Sequence, residues 1–560
     1  MRLHSSQCTV SLVDCQGCVT FVSKSKNCTF SNAGYIWVIP EAERDKRVGV
    51  MMKAKLGGWW LVLGLFLVAC SQSPSQGTEK GNSSGEETTT SQVQDAGNVV
   101  DSSGYEAPDS SSEEATPEKP SFPPTPPFPE VTGGTVLEDT NPDPKVVEVK
   151  LVAQPTRLQL SDKISQIMYT YNGMIPGPII RARVGDELVV HFTNRLQEPT
   201  TVHWHGLRIP DKMDGTPRVQ EPVKPGESFT YKFKLREAGS FWYHPHVRSH
   251  AQLELGLYGM LIVQEKENIQ FTRERVVVLD DILIVNGRVA APMRSHMEAM
   301  HGRNGNTLFV HGKLGALSIQ AKTGEVERWR VVNVANARTM SMQFSGMKVR
   351  VIGTDGGLLA KPYFLPNVLE IAVGQRYDLE VTYEKPGSYD FSLLAPTRSG
   401  TEALPMLKVD VKGDKVTQPV EPPAYPTIPS LPERKPDKEV VMTFDGVNTS
   451  TGLVWRINGK GHWKEPIFTF QEGQTITMSL QNKLAQEHPF HLHGQFFTII
   501  SRNGKKAFEP GLKDSVLVRG NETVVIRAYF DNPGQWMAHC HILEHAELGM
   551  MGEIVVTPKP

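Results

Sequence analysis

The chain reads as all-β, built from three consecutive β-sandwich units. Three observations say so: short apolar-polar alternations punctuated by turn residues, a segment that recurs three times, and few stretches with helical periodicity. Runs such as 187–192, 229–233, 377–381 and 523–528 alternate apolar and polar residues, with Gly, Pro and Asn between them. That is the period of a half-buried strand, and many short strands at regular spacing indicate an antiparallel sandwich with Greek-key connections.

The repeat fixes the number of units. Val184-Gly185-Asp186, Thr193-Asn194 and His205-Gly206 read in step with Thr323-Gly324-Glu325, Val332-Asn333 and Ser345-Gly346, and again with Glu472-Gly473-Gln474, Gln481-Asn482 and His493-Gly494. A second segment recurs with them: Ala238-Gly239-Ser240-Phe241, Pro386-Gly387-Ser388-Tyr389 and Pro533-Gly534-Gln535-Trp536. The expected units are 145–266, 267–417 and 437–560, with proline-rich 418–436 as the linker before the third. At roughly 130 residues each, they are of ordinary domain size.

Ten of the 17 histidines fall in four short runs. These are His203-Trp204-His205, His244-Pro245-His246, His488-Pro489-Phe490-His491-Leu492-His493, and His539-Cys540-His541 followed by His545. In a strand, alternate residues share a face, so each H-x-H pair presents two imidazoles together. In the last run Cys540 points away from His539 and His541, so one tripeptide can touch two metal sites. The Cys540 thiolate, His545 and the Met550 thioether can close around one ion. A further His would complete the soft His2Cys set with a weak axial Met that suits a blue-copper electron-transfer centre.

The four runs resemble the copper-binding motifs of the multicopper oxidases, and the resemblance extends from about Lys145 to the end of the chain. It implies a cupredoxin-like fold for each unit and four coppers per chain. By that resemblance His488, Cys540, His545 and axial Met550 hold a type 1 copper, and His203 and His491 hold a type 2 copper. Of the type 3 pair, one ion takes His205, His244 and His541, and the other takes His246, His493 and His539. The trinuclear ligands come half from 203–246 and half from 488–541, which places that cluster in a seam between the first and third units. In the middle unit the matching positions hold Met342, Gln343, Phe344 and Asp390, Phe391, Ser392. That unit is expected to bind no copper and to act as a spacer shaping the substrate side.

The resemblance implies an oxidase. One-electron oxidation of phenols or aromatic amines at the type 1 copper would be coupled to four-electron reduction of O2 to water. The alternatives are a cuprous oxidase in copper tolerance, a non-catalytic cupredoxin scaffold of the cell envelope, and a two-domain copper nitrite reductase. The complete ligand set argues against the scaffold, and the paired type 3 histidines and three repeats against the reductase. Asp214 matches an acid that lies near the trinuclear cluster in relatives and helps deliver protons. The other relay acid of many bacterial relatives follows the second type 1 His, where this chain has Ala546. A relay through Asp214 or Glu547 is expected instead.

Met293, Met297 and Met300 with His296 and His301 form a soft-ligand cluster of the kind that collects Cu(I) in cuprous oxidases, although thioethers also fill gaps in loops. Met340 and Met342 are read as packing residues, and His191, His250, His311 and His462 as structural. Net charge is -2, which offers no basic face for nucleic acid. The expected partners are O2, a small reductant and a membrane reached through lipid, with the chain a monomer.

The N-terminal quarter bears on location. Lys53 and Lys55 precede the apolar run 56–69, the flank and length of an export signal and too short for a spanning helix. It ends in Leu67-Val68-Ala69-Cys70, which resembles a bacterial lipobox with Cys70 as the lipidated residue. Residues 51–69 are thus the expected lipoprotein signal, translation starting at Met51 or Met52, and 1–50 an extension foreign to the mature protein. Discarding 1–50 removes Cys8, Cys15, Cys18 and Cys28 and leaves Cys70 for lipid and Cys540 for copper. Residues 70–144 are rich in Ser, Thr, Glu, Gly and Pro and too poor in large apolar residues to fold. As a flexible coil of about 70 residues they would reach about 45 Å, a tether holding the globular part off a membrane.

Overall fold

The computed structural model describes residues 131–560 except 268, 293–294, 366, 414–415, 417–433, 451 and 463–464, and in the N-terminal part only the backbone of short strands. Contacts divide the chain into Met1–Ser112 and Glu113–Pro560. In the first unit Val10–Cys15 pairs with Cys18–Ser23, Phe30–Asn32 with Tyr35–Trp37, and Met51–Leu56 with Trp59–Gly64, all antiparallel. Cys70 and most of the expected tether lie outside the described residues.

The second unit holds three sandwiches. The first packs Ser228–Lys234, Glu187–Asn194, Val146–Ser161 and Ile164–Tyr171 against Gly177–Arg183, Gly259–Gln264, Gly239–His244 and His203–His205. Its core is filled by Leu188, Val190, Phe192, Trp204, Tyr231 and Phe241. The second has an eight-stranded sheet through Arg273–Ile282, Val326–Asn333 and Arg376–Thr382, facing a five-stranded sheet through Gly387–Thr397 and Met340–Ser345. The third has a six-stranded sheet through Lys438–Thr449, Gln474–Asn482 and Thr523–Phe530, facing Phe468–Gln471, Met551–Thr557, Gly534–Cys540, His488–Leu492 and Ser515–Val518.

The sandwiches are mixed, where alternation alone suggests purely antiparallel pairing. Glu187–Asn194 runs parallel to Val146–Ser161, Val326–Asn333 parallel to Arg273–Ile282, and Gln474–Asn482 parallel to Lys438–Thr449. These partners are joined through crossovers, and a period-2 pattern carries no information about strand direction.

Among the described residues, strand pairing with the domains also begins earlier than the expected tether boundary at 144. Val131–Thr132 pairs with Glu274–Arg275, Val136 bridges Ile179, and Leu137 N–H donates to Ile179 O at 2.8 Å. Partners more than forty residues away order a segment whose own composition is too poor to fold alone.

Register then places the histidine runs. His203 lies opposite His244 on adjacent strands, and His491 lies opposite both His539 and Ser515. Phe490 lies opposite Cys540. In the middle sandwich the equivalent strands pair Met342 with Leu393 and Phe344 with Phe391, and Met340 and Met342 are fully buried in the core. Among the described residues no helix is long and apolar enough to cross a membrane.

Candidate metal centre between the first and third domains

Cys540 ends its strand inside the third domain, and His488 opens the neighbouring one. The short helix Leu543–Glu547 carries His545 back to them. Cys540 Sγ lies 3.5 Å from His488 Nδ1 and 3.7 Å from His545 Nδ1, and the two nitrogens are 3.2 Å apart. Atoms at those separations surround a point about 2.0 Å from each, the length of a metal–nitrogen bond. Met550 is fully buried and tied to two of these residues by its backbone, its N–H bonded to His545 O and its carbonyl accepting from Cys540 N–H.

Burial pushes the Cys540 thiol well up, so a bound cation is what would make it a thiolate. The same burial lowers His488 to about 3 and His545 well below the ordinary imidazole value, leaving both neutral and able to ligate. Trp455 packs its ring on His545 at 4.3 Å and edge-on to His488 at 5.4 Å.

On the other side of Cys540, seven buried imidazoles and the half-buried His246 converge. His246, His493 and His539 bring ring nitrogens within 4.8 Å of one another, with His493 Nε2 and His539 Nε2 3.1 Å apart. His203, His491 and His493 form a second such set, and His203, His205 and His244 a third. His541 stands in none of these sets, although its ring is 5.1 Å from that of His205 and 5.5 Å from that of His244. His203 stacks on His493 at 4.0 Å, and His205 on His491 at 3.7 Å.

This donor set fits metal ions and fits little else. His203 Nε2, His205 Nδ1, His244 Nε2, His246 Nε2, His491 Nε2 and both nitrogens of His541 are buried without a hydrogen-bond partner. Orphaned polar atoms on this scale are costly unless something occupies the space between them. Burial, and then the neighbouring imidazoles, hold His205, His244, His246, His493, His539 and His541 well below the ordinary value. The rings are therefore neutral and able to ligate.

Two carboxylates fix the outer nitrogens. Asp214, fully buried, accepts from His493 Nδ1 at 2.8 Å, lies 3.2 Å from His203 Nδ1 through its carboxylate, and takes that N–H on its carbonyl at 2.8 Å. Asp514 does the same for the other pair: its carboxylate is 3.2 Å from His205 Nε2 and its carbonyl accepts from His491 Nδ1 at 2.9 Å. An engaged outer nitrogen sets which nitrogen faces inward, the usual orientation of a metal-bound imidazole. Asp514, held well below the ordinary carboxylate value by the Arg376 guanidinium, is absent from the sequence reading. Lys513-Asp514-Ser515 has no spacing that marks it.

The remaining candidates fall around these sites. Helix His296–His301, capped by Ser295, lies over the Cys540 site: Met300 O accepts from His545 Nε2 at 3.2 Å, and Ala299 O accepts from Trp455 Nε1 at 2.9 Å. Met297 is 63% exposed on that helix, while Met293 lies outside the described residues. Glu547 is 3.1 Å from His250, and Ala546 is buried. His191 pairs with Glu148 at 2.6 Å on the surface; His311 is enclosed and lowered to about 4 by burial. His462 donates its backbone N–H to Gly549 O.

Family models described as multicopper oxidase match residues 152–268, 265–406 and 432–560. The multicopper oxidase MmcO of Mycobacterium tuberculosis is 30% identical over 447 residues, covering 72% of this chain and 86% of that protein. A solved multicopper oxidase from Campylobacter jejuni, described as a metallo-oxidase, superposes with a TM-score of 0.68 at 26% identity, over 77% of this chain and 96% of the other. A laccase-like multicopper oxidase from Ochrobactrum sp., described as active towards lignin model compounds, superposes with a TM-score of 0.67 at 27% identity, over 77% and 100%. With three matching domains, the cupredoxin-like fold and converging imidazoles around one cysteine, the chain belongs to the multicopper oxidase family.

Proposed function

We propose that this chain couples one-electron oxidation of a small reductant at His488, Cys540, His545 and Met550 to reduction of O2 to water at the histidine cluster 203–246 and 488–541. The observation that carries the reading is His539-Cys540-His541. Its cysteine belongs to one donor set, while His539, bonded to it, belongs to the other, and the ring of His541 on its far side lies 5.1 Å from that of His205 in the same cluster. When bound, copper supplies the redox chemistry, taking single electrons at the first set and delivering four to O2 at the second.

The residues do the rest. Cys540 links the sets by its own backbone, so electrons need cross no gap between domains. Burial keeps the imidazoles neutral and excludes water from the reacting space. His203 and His491 are assigned to the type 2 ion, His205, His244 and His541 to one type 3 ion, and His246, His493 and His539 to the other. Asp214 sits against the stacked rings of His203 and His493 and is the acid assigned to proton delivery.

Phenols and aromatic amines are the first donor class. Cu(I) is a second, supported by a specific feature: helix His296–His301 closes over His545, engages its Nε2 and carries exposed Met297 beside Met300. A solved relative of each kind, metallo-oxidase and laccase-like, is consistent with the two readings. Steady-state oxidation of a phenol and of Cu(I) by copper-loaded protein, with a Met293/Met297/Met300 triple variant, separates them. Dominant Cu(I) turnover that collapses in the variant rejects the phenol oxidase; dominant phenol turnover, with Cu(I) turnover at background or unaffected by the variant, rejects the cuprous oxidase.

Export and lipidation at Cys70 complete the proposal, placing the oxidase outside the cytoplasm at a membrane surface. Cys70→Ala is expected to move it from the membrane to the soluble fraction, and an unchanged distribution contradicts the anchor.

A further inference from the structure

The middle domain reaches the histidine cluster through one turn. Gly374 has φ +84°, and a Cβ there would come 3.0 Å from His205 Cε1 and 3.1 Å from His541 Cδ2. A side chain here would be strained at that φ and would press on both rings, so glycine lets the backbone lie this close. Next to it, the Gln375 side-chain amide donates to Ser515 O at 3.0 Å.

Arg376 follows, fully buried, with every guanidinium nitrogen engaged. Nε donates to Ser240 O of the first domain at 3.0 Å, Nη1 to Gly374 O at 3.1 Å, and Nη2 to Asp355 O at 3.0 Å. Nη1 and Nη2 also grip both oxygens of Asp514 at 2.7 and 2.6 Å. A Cβ on Gly206, the residue after His205, would strike Arg376 Nη2 and Asp514 Oδ2. Asp514, whose carboxylate lies against His205 and whose carbonyl accepts from His491 Nδ1, is thus itself held, at two points, by an arginine from the domain that carries none of the histidine runs.

We propose that Arg376 is a positioning residue for the trinuclear site. Through Asp514 it sets the orientation of His205 from the first domain and His491 from the third, so the middle domain forms one wall of the oxygen-reducing site as well as a spacer. The inference rests on the copper assignment above. A planar fork holding two carboxylate oxygens defines both position and rotation of Asp514, which an ammonium group does not. Loss of an outer partner of a metal-bound imidazole costs about 10–100-fold in metal affinity or activity.

The test uses the full chain loaded with Cu(II), comparing wild type with Arg376→Met and Arg376→Lys. Retention of type 2 copper against a chelator is read by electron paramagnetic resonance, and the blue absorption of the Cys540 site serves as an internal control in the same sample. The expected result is loss of the type 2 signal at chelator concentrations at least about 10-fold lower, with blue absorption unchanged; R376K is intermediate and decides the case if R376M does not fold. Wild-type retention in both variants overturns the proposal, as does loss of both signals in step in R376K, which would make Arg376 an ordinary structural residue. Wild type that binds no copper sinks the functional assignment instead.

Discussion

Asp214 of the first domain accepts a hydrogen bond from Nδ1 of His493 in the third at 2.8 Å, and Asp514 of the third reaches back to Nε2 of His205 in the first at 3.2 Å. Each acid therefore ties one imidazole of each outer domain to the other. The seam between those domains is closed by carboxylate–imidazole hydrogen bonds at the clustered histidines themselves.

Asp214→Ala should consequently weaken the cluster without touching the Cys540 site. Copper analysis and oxygen consumption are expected to show a loss of about 10–100-fold in cluster affinity or turnover with the blue absorption intact. Full activity in this variant would mean that the carboxylate neither orients the rings nor handles protons.

Cys540→Ser separates the two donor sets chemically. The variant should lose the blue colour, keep copper bound by the histidine cluster, and oxidise reductants only at background level, because the covalent link survives but the thiolate does not. Copper-to-protein ratios together with turnover check this. Appreciable activity would require an electron route that bypasses residue 540.

Acid should release copper late. Burial lowers His488 to about 3 and holds His545 well below the ordinary value near 6.5, so protons compete poorly for these nitrogens in the folded protein. Blue absorption is expected to persist undiminished at pH 5; a midpoint near 6.5 would contradict the depressed values. The linkage runs the other way for folding. Depressed imidazoles contribute stability that is complete above about 6.5 and falls as pH drops towards the folded values. Glu254, raised to about 8, and Asp355, raised to about 6, act in the opposite sense.

Trp455→Phe keeps an aromatic ring beside His545 and removes the bond to Ala299 O. That bond is worth about 1 kcal/mol, and its loss should loosen helix His296–His301 over the site. A lower KM for bulky phenols, with copper content unchanged, is the expected outcome in steady-state kinetics. An unchanged KM would show that the helix does not limit access.

How much was legible beforehand depended on whether a residue acts through local pattern or through distant contact. Eight of the ten histidines stand out because H-x-H on a strand places two imidazoles on one face, His488, His545 and Cys540 because they fall in or beside those runs, and the three-fold repeat identifies the sandwiches by strand-period logic. Asp514 and Arg376 carry no such mark. They matter only because folding brings residues 309 and 138 positions apart together. The seat of helix His296–His301 over His545, a contact 245 residues apart, was hidden for the same reason. The middle domain was expected to shape only the substrate side. Gly374 against His205 and His541 shows it at the cluster as well. The boundary at 144 erred because composition registers what a segment contains and not the strand edge waiting for it at Glu274–Arg275.

Anaerobic reductive titration of copper-loaded protein tests the central claim most directly. Two donor sets joined through Cys540 should together accept four electrons per chain, the blue band bleaching as the cluster fills. A chain that takes up only one electron, or whose cluster stays oxidised after the blue band has gone, would contradict the joined arrangement.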